Sequence, residues 1–229
     1  MQKNATLKKI KYLLWDNDGV LVDTERFYYE AGRRVLNETG ITLTMAQFSE
    51  ISLCQGQSIF DVAAAQGVSA AQCGVLRRKR DALYSEYLQN EDILIPGVEA
   101  VVAKCASRFQ MCIVSSSMKN NFFEIHARTG NLLSWFAFQL LHGDYPRSKP
   151  HPDPWLTAMR RFSATPEECL VIEDSPRGIQ AAKAAEMPVV AVESRFFREK
   201  DLRPHLAATD FCISDIRSGL LEVLGIDDC

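Results

Sequence analysis

Six short apolar runs of strand length alternate with stretches of helical periodicity, and this constrains the fold more than any other feature. The runs are 10–15, 110–115, a segment inside 135–141, 169–172, 189–192 and 211–213. Strand and helix patterns that alternate in this way predict an α/β protein with a parallel sheet. The alternation breaks once. From Thr24 to about Asn90 the pattern is almost wholly helical, with Phe27, Ala31, Val35 and Leu36 on one stripe. Gly40-Ile41-Thr42 ends that helix, a second begins near Thr44, a third stops at Gly67, and Ser69 can cap a fourth. The predicted organisation is a core of 1–23 and 95–229 with a helical domain of 24–94 inserted after the first strand. Linkers are expected near 22–25 and 94–97, and two close crossing points of this kind permit hinge motion.

The first run ends at Asp16-Asn17-Asp18-Gly19-Val20. In extended backbone, residues two apart share a face, so Asp16 and Asp18 are expected on one side while Asn17 looks away. Two carboxylates this close repel unless a cation, a proton or a donor separates them. Such a pair can hold a hard cation such as Mg²⁺, act as a nucleophile or carry a proton. An Asp-rich turn closed by a glycine is the competing structural reading.

Three more segments carry polar groups in order. Ile113-Val114-Ser115-Ser116-Ser117 places hydroxyls at the end of an apolar strand. Ser148-Lys149-Pro150-His151-Pro152-Asp153 sets a lysine in proline-restricted backbone. Val171-Ile172-Glu173-Asp174-Ser175-Pro176-Arg177-Gly178-Ile179-Gln180-Ala181-Ala182 puts an acidic pair before a helix of small residues. Together with 16–25, these four segments resemble, in order, the four motifs of the haloacid dehalogenase superfamily, in its phosphatase and phosphomutase branch. The resemblance runs from Asp16 to Ala185 and implies a Rossmann-like parallel sheet with an early-inserted helical cap.

It also implies roles. Asp16 is the expected nucleophile and Asp18 the expected general acid and base. Magnesium is expected on the Asp16 carboxylate, the Asp18 carbonyl and Asp174, with Glu173 assisting directly or through water. The Ser115 hydroxyl and the Ser116 N–H are expected on a phosphoryl oxygen, with Lys149 supplying positive charge to the phosphoryl group and the nucleophile. In the cap, Cys54-Gln55-Gly56-Gln57-Ser58-Ile59 resembles the specificity loop, so Gly56 and Gln57 are candidate substrate contacts. The implied activity is Mg²⁺-dependent hydrolysis of a small phosphorylated metabolite, such as a sugar phosphate, through an aspartyl phosphate. A β-phosphoglucomutase-type mutase is the alternative. It is disfavoured because Ile59 stands where that subgroup has a basic residue and Tyr28 where it has a histidine. A dehalogenase would lack the second aspartate. A phosphonatase would need a lysine in 26–37, which holds only arginines. A non-catalytic binding or regulatory protein is the reading from another class, and the intact Asp16, Asp18, Lys149 and Asp174 weigh against it.

Composition narrows the rest. Hydrophobic residues make up 47% of the 229, enough for a packed core. A net charge of −3 argues against a nucleic-acid surface. The basic run 77–80 reads as a solvated helix face. Seven cysteines without a Cys-x-x-Cys pair suggest free thiols in a reducing compartment. No apolar run of membrane-spanning length occurs, and the first apolar run ends too soon for a signal peptide. A cytoplasmic location is expected, and oligomeric state is left open. The four histidines have no metal-ligand spacing. Trp15, Trp135 and Trp155 are expected as packing groups, and Arg147 is expected to face water.

Overall fold

The computed structural model describes residues 7–226. It contains a six-stranded, all-parallel sheet in the order β3-β2-β1-β4-β5-β6. The strands are β1 (Tyr12–Trp15), β2 (Gln110–Val114), β3 (Phe138–Leu140), β4 (Cys169–Glu173), β5 (Val189–Val192) and β6 (Phe211–Ile213). This is the α/β, Rossmann-like core that the apolar runs predict. All three residues Leu13, Leu14 and Trp15 are fully buried, as is every residue of β4. Burial on both faces explains why these strands read as unbroken apolar runs and not as alternation. A fully buried Leu or Ile contributes about 1.5–3 kcal/mol, so the central strands anchor the sheet.

Strand order decides where a site can form. From β1 the chain passes to β2 and then outward to β3, and it returns to the other side of β1 with β4. The direction of winding reverses between β2 and β4, and ligands of open α/β sheets bind at such reversals, beyond the carboxyl ends of the strands. Asp16 follows β1, Ser115 follows β2, and Glu173 ends β4 with Asp174 next.

Residues 23–93 form a second compact unit. It contains the helices Thr24–Asn37, Met45–Phe48, Ile59–Ala65 and Ala70–Asn90, with a π-helical segment Ser49–Cys54. Three capping boxes set the starts of the last three helices: Thr44 with Gln47, Ser58 with Asp61 and Ser69 with Gln72. The long first and last helices meet through Phe27 and Tyr87, whose rings lie 5.8 Å apart.

The basic run 77–80 faces solvent at Arg77, Arg78 and Lys79, as expected, but packing departs from expectation at two residues. Arg80, in the basic run 77–80, is buried, with its guanidinium 4.1 Å from the Tyr28 ring centroid and also over Phe60. The guanidinium is weakly hydrated and stacks on aromatic faces, so helix periodicity alone misplaces it in solvent. Trp135 is 45% exposed, whereas Trp15 and Trp155 are fully buried. The described cysteines are free, and Cys112 and Cys169 are buried small hydrophobes. Burial pushes the Cys169 thiol up to about 12, which keeps it protonated and unreactive. Cys229 lies outside the described residues. No helix among them is long and apolar enough to cross a membrane.

Candidate active site

Lys149 is the centre of the charged cluster. Its ammonium is buried and donates to Asp16 Oδ1 at 2.6 Å, Glu173 Oε2 at 2.7 Å and the Val114 carbonyl at 3.2 Å. The Trp155 ring centroid lies 4.3 Å away. The Lys149–Pro150 peptide is cis, and the Lys149 carbonyl accepts from the Arg177 guanidinium. Burial opposes the charge on Lys149, but Asp16 and Glu173 outweigh it and hold the pKa above its ordinary value.

Asp16, Glu173 and Asp174 bring ligand oxygens within 4.8 Å of one another, and all three residues are buried. Three carboxylates and one ammonium would leave two negative charges in a buried site. Burial first, then the Glu173 charge, push Asp16 up to about 8. Burial, Glu173 and Asp16 likewise push Asp174 well above the carboxylate range. Asp174 Oδ2 is buried with no hydrogen-bond partner. An orphaned carboxylate oxygen is costly. A divalent cation would supply both the missing partner and the missing charge, so this all-oxygen donor set fits Mg²⁺.

Two glycines make the cluster possible. A Cβ at Gly19, where φ is +82°, would lie 2.1 Å from Asp174 Oδ2. A Cβ at Gly178 would lie 2.0 Å from the Glu173 carboxylate. Glu173 also accepts from the Ser175 N–H and hydroxyl, and Ser175 caps the helix Pro176–Ala184. With Ser175 as the cap, neither carboxylate of the acidic pair is needed to cap that helix. Gly178→Ala is therefore expected to displace Glu173 and to cost about 1–3 kcal/mol of stability through overpacking. Urea unfolding checks this, and unchanged stability would show that Glu173 has room to move.

Asp18 stands apart from the lysine. Its Oδ2 accepts from the Ser117 hydroxyl at 3.0 Å and faces the Ser115 hydroxyl at 3.4 Å. Ser115 is fully buried, and its hydroxyl also accepts from the Ser117 N–H at 3.0 Å, while Ser116 is exposed. The Tyr145 hydroxyl donates to the Ser115 carbonyl at 2.8 Å and pins the end of β2. Gly56 and Gln57 lie in the helical unit, exposed, between the π-helical segment and the helix Ile59–Ala65. Gly56 has φ +68°, and the Gln57 N–H donates to the Ile51 carbonyl. Arg147 is exposed and pairs with Asp153.

Sequence reasoning overlooked Ser117, although it completes a visible triple-serine run. It also missed Tyr145 and the pairing of Asn17 with His126, which no local pattern signals. Asn17 does not simply look away. Its amide lies 3.3 Å from Asp18 Oδ2, and its carbonyl oxygen 2.8 Å from His126 Nε2. Burial lowers the His126 pKa from its ordinary 6.5 to about 4, against the pull of Asp18. The unfolded chain thus binds the proton first. The stability held in neutral His126 is complete above pH 6.5 and is lost as pH falls toward 4, by about 3 kcal/mol. His126→Gln is expected to flatten this part of the acid limb, as read from urea midpoints between pH 7 and 4.5. An unchanged slope would refute it.

The profile of the haloacid dehalogenase-like hydrolase family matches residues 13–192. The chain is 29% identical over 204 residues to the probable pseudouridine-5'-phosphatase of Drosophila melanogaster, covering 86% of this chain and 88% of that one. It is 29% identical over 184 residues to the fructose-1-phosphate phosphatase of Escherichia coli, covering 79% and 95%. A haloacid dehalogenase-like protein of Agrobacterium tumefaciens, of unknown function, shares the fold, with a TM-score of 0.77 at 24% identity and coverage of 95% and 99%. The chain belongs to the haloacid dehalogenase-like hydrolases. Within that family it is a phosphoric monoester hydrolase, and both of these curated relatives are named as phosphatases.

Proposed function

We propose that the chain hydrolyses a small phosphorylated carbohydrate through an aspartyl phosphate on Asp16. The observation that carries this reading is the Lys149 ammonium bridging Asp16 and Glu173 while Asp18 is held separately by Ser117. Two neighbouring carboxylates with different environments suit different tasks. Asp16, against a fixed cation, attacks phosphorus, and the bond to the leaving oxygen breaks with its electron pair. Asp18 gives that oxygen a proton. Water then attacks the aspartyl phosphate, Asp18 takes its proton, and the Asp16–phosphorus linkage breaks to release phosphate.

Asp16 and Asp174, with the Asp18 carbonyl and help from Glu173, would hold Mg²⁺, which when bound neutralises phosphoryl charge. Lys149 orients Asp16 and offsets charge on the same side. Ser115 and the Ser116 N–H would complete the phosphoryl cradle. The carbohydrate class is supported by relatives named for it, a fructose-1-phosphate phosphatase of Escherichia coli and a phosphorylated carbohydrates phosphatase of Thermotoga maritima.

Phosphate release from a panel of sugar phosphates, with β-glucose 1-phosphate plus catalytic glucose 1,6-bisphosphate as one member, tests the reading. Free phosphate is the expected product. Rapid conversion to glucose 6-phosphate without phosphate would reject hydrolysis in favour of a mutase. Gln57→Ala is expected to reorder activities across the panel while leaving p-nitrophenyl phosphate hydrolysis nearly unchanged, since a small artificial substrate needs little from a cap. Equal losses on all substrates would remove Gln57 from substrate recognition.

A further inference from the structure

Asn17 occupies the position between the two candidate carboxylates and is fully buried, and His126 and Thr129 nearby are buried too. Buried polar groups cost stability unless paired, and a half-satisfied network is worse than an apolar one. These three residues are paired with one another, and Thr129 also donates to the His126 carbonyl at 3.1 Å. Thr129 Oγ1 lies 3.0 Å from His126 Nδ1, His126 Nε2 lies 2.8 Å from Asn17 Oδ1, and Asn17 Nδ2 lies 3.3 Å from Asp18 Oδ2.

The carboxylate end orders the hydrogens as far as the imidazole. A carboxylate only accepts, so the amide must turn its NH₂ toward Asp18 and its carbonyl toward His126. That carbonyl needs a donor, so Nε2 carries the hydrogen. The ring is neutral at neutral pH because burial lowers its basicity. Nδ1, left without a hydrogen, faces the Thr129 hydroxyl at 3.0 Å, and the single hydrogen of that hydroxyl is within reach of both the ring and the His126 carbonyl, 3.1 Å away. The alternative tautomer would set two lone pairs against each other at Asn17. The line runs from a helix end to the site: His126 closes the helix Lys119–His126, 109 positions from Asn17.

We infer that Asn17 and His126 are positioning residues for Asp18, a neutral relay that holds its carboxyl plane for proton transfer to the leaving oxygen. The inference rests on the proposed acid–base role of Asp18. With the Asn17 amide and the Ser117 hydroxyl both donating to Oδ2, the transferable proton is directed to Oδ1. A relay without charge supplies orientation. Neither residue touches the reacting atoms.

The test compares phenyl phosphate with p-nitrophenyl phosphate, substrates of similar shape whose leaving groups differ in their need for a proton. The readout is kcat/KM, which reports phosphoryl transfer to Asp16 and not the later hydrolysis. Asn17→Leu, which keeps the volume but removes the amide, should lower kcat/KM about tenfold or more on phenyl phosphate and less than about threefold on p-nitrophenyl phosphate. His126→Leu should behave alike. His126→Gln retains a donor toward Asn17 and should restore most of the wild-type ratio, so the His126 pair carries the test if Asn17→Leu does not fold. Equal losses on both substrates, or identical ratios for His126→Leu and His126→Gln, would overturn the relay. Asp18→Asn is the control. If it is selective against phenyl phosphate while the relay variants are not, the relay alone is wrong. If Asp18→Asn shows no selectivity, the acid role of Asp18 falls and the relay falls with it.

Discussion

Asp16→Asn is expected to lose several orders of magnitude in turnover while remaining folded. Phosphate monoester hydrolysis is among the slowest uncatalysed reactions, with enzymic accelerations of up to roughly 10²¹-fold, so loss of the attacking group has a large effect. An amide matches the carboxylate in shape, and its oxygen can still accept from Lys149, but it cannot attack phosphorus. Lys149 keeps its bond to Glu173 in the variant, so the buried ammonium is not stranded. The measurement is steady-state hydrolysis of p-nitrophenyl phosphate by folded variant, with the wild-type enzyme trapped by acid quench to look for a phosphorylated aspartate. A folded variant with more than a few per cent of wild-type activity would show that Asp16 is not the nucleophile.

Removal of divalent metal should be nearly as damaging. Exhaustive EDTA treatment is expected to abolish activity and Mg²⁺ to restore it, because the three clustered carboxylates carry more negative charge than Lys149 offsets. A second readout needs no turnover. An ion that binds only the folded chain stabilises it by about 2.7 kcal/mol at one hundred times its Kd, so Mg²⁺ should raise the Tm of the wild-type protein. Asp174→Ala removes the orphaned buried oxygen and should abolish both the Tm shift and the rescue. Full activity in chelated enzyme, or an undiminished Tm shift in the variant, would refute the metal assignment.

Features that depend on neighbours along the chain are readable from local pattern. Strands β5 and β6 fall on the predicted runs 189–192 and 211–213, because a strand buried on both faces must be apolar throughout. The capping boxes at Thr44, Ser58 and Ser69 lie at helix starts because their hydrogen bonds span three residues. Asp16, Lys149 and the 173–174 pair were legible because each sits at a strand end or in a short motif of restricted backbone. Which of these groups meet is set by the fold in three dimensions, since the order of parallel strands depends on long crossovers that no local period records. It placed Lys149 against both Asp16 and Glu173, and it left Asp174 Oδ2 without a partner. It also buried Arg80 on an aromatic ring and turned Asn17 toward a histidine 109 residues away. Periodicity tells which side of an element a residue faces, but the polar partner waiting there is set by packing across the whole sheet.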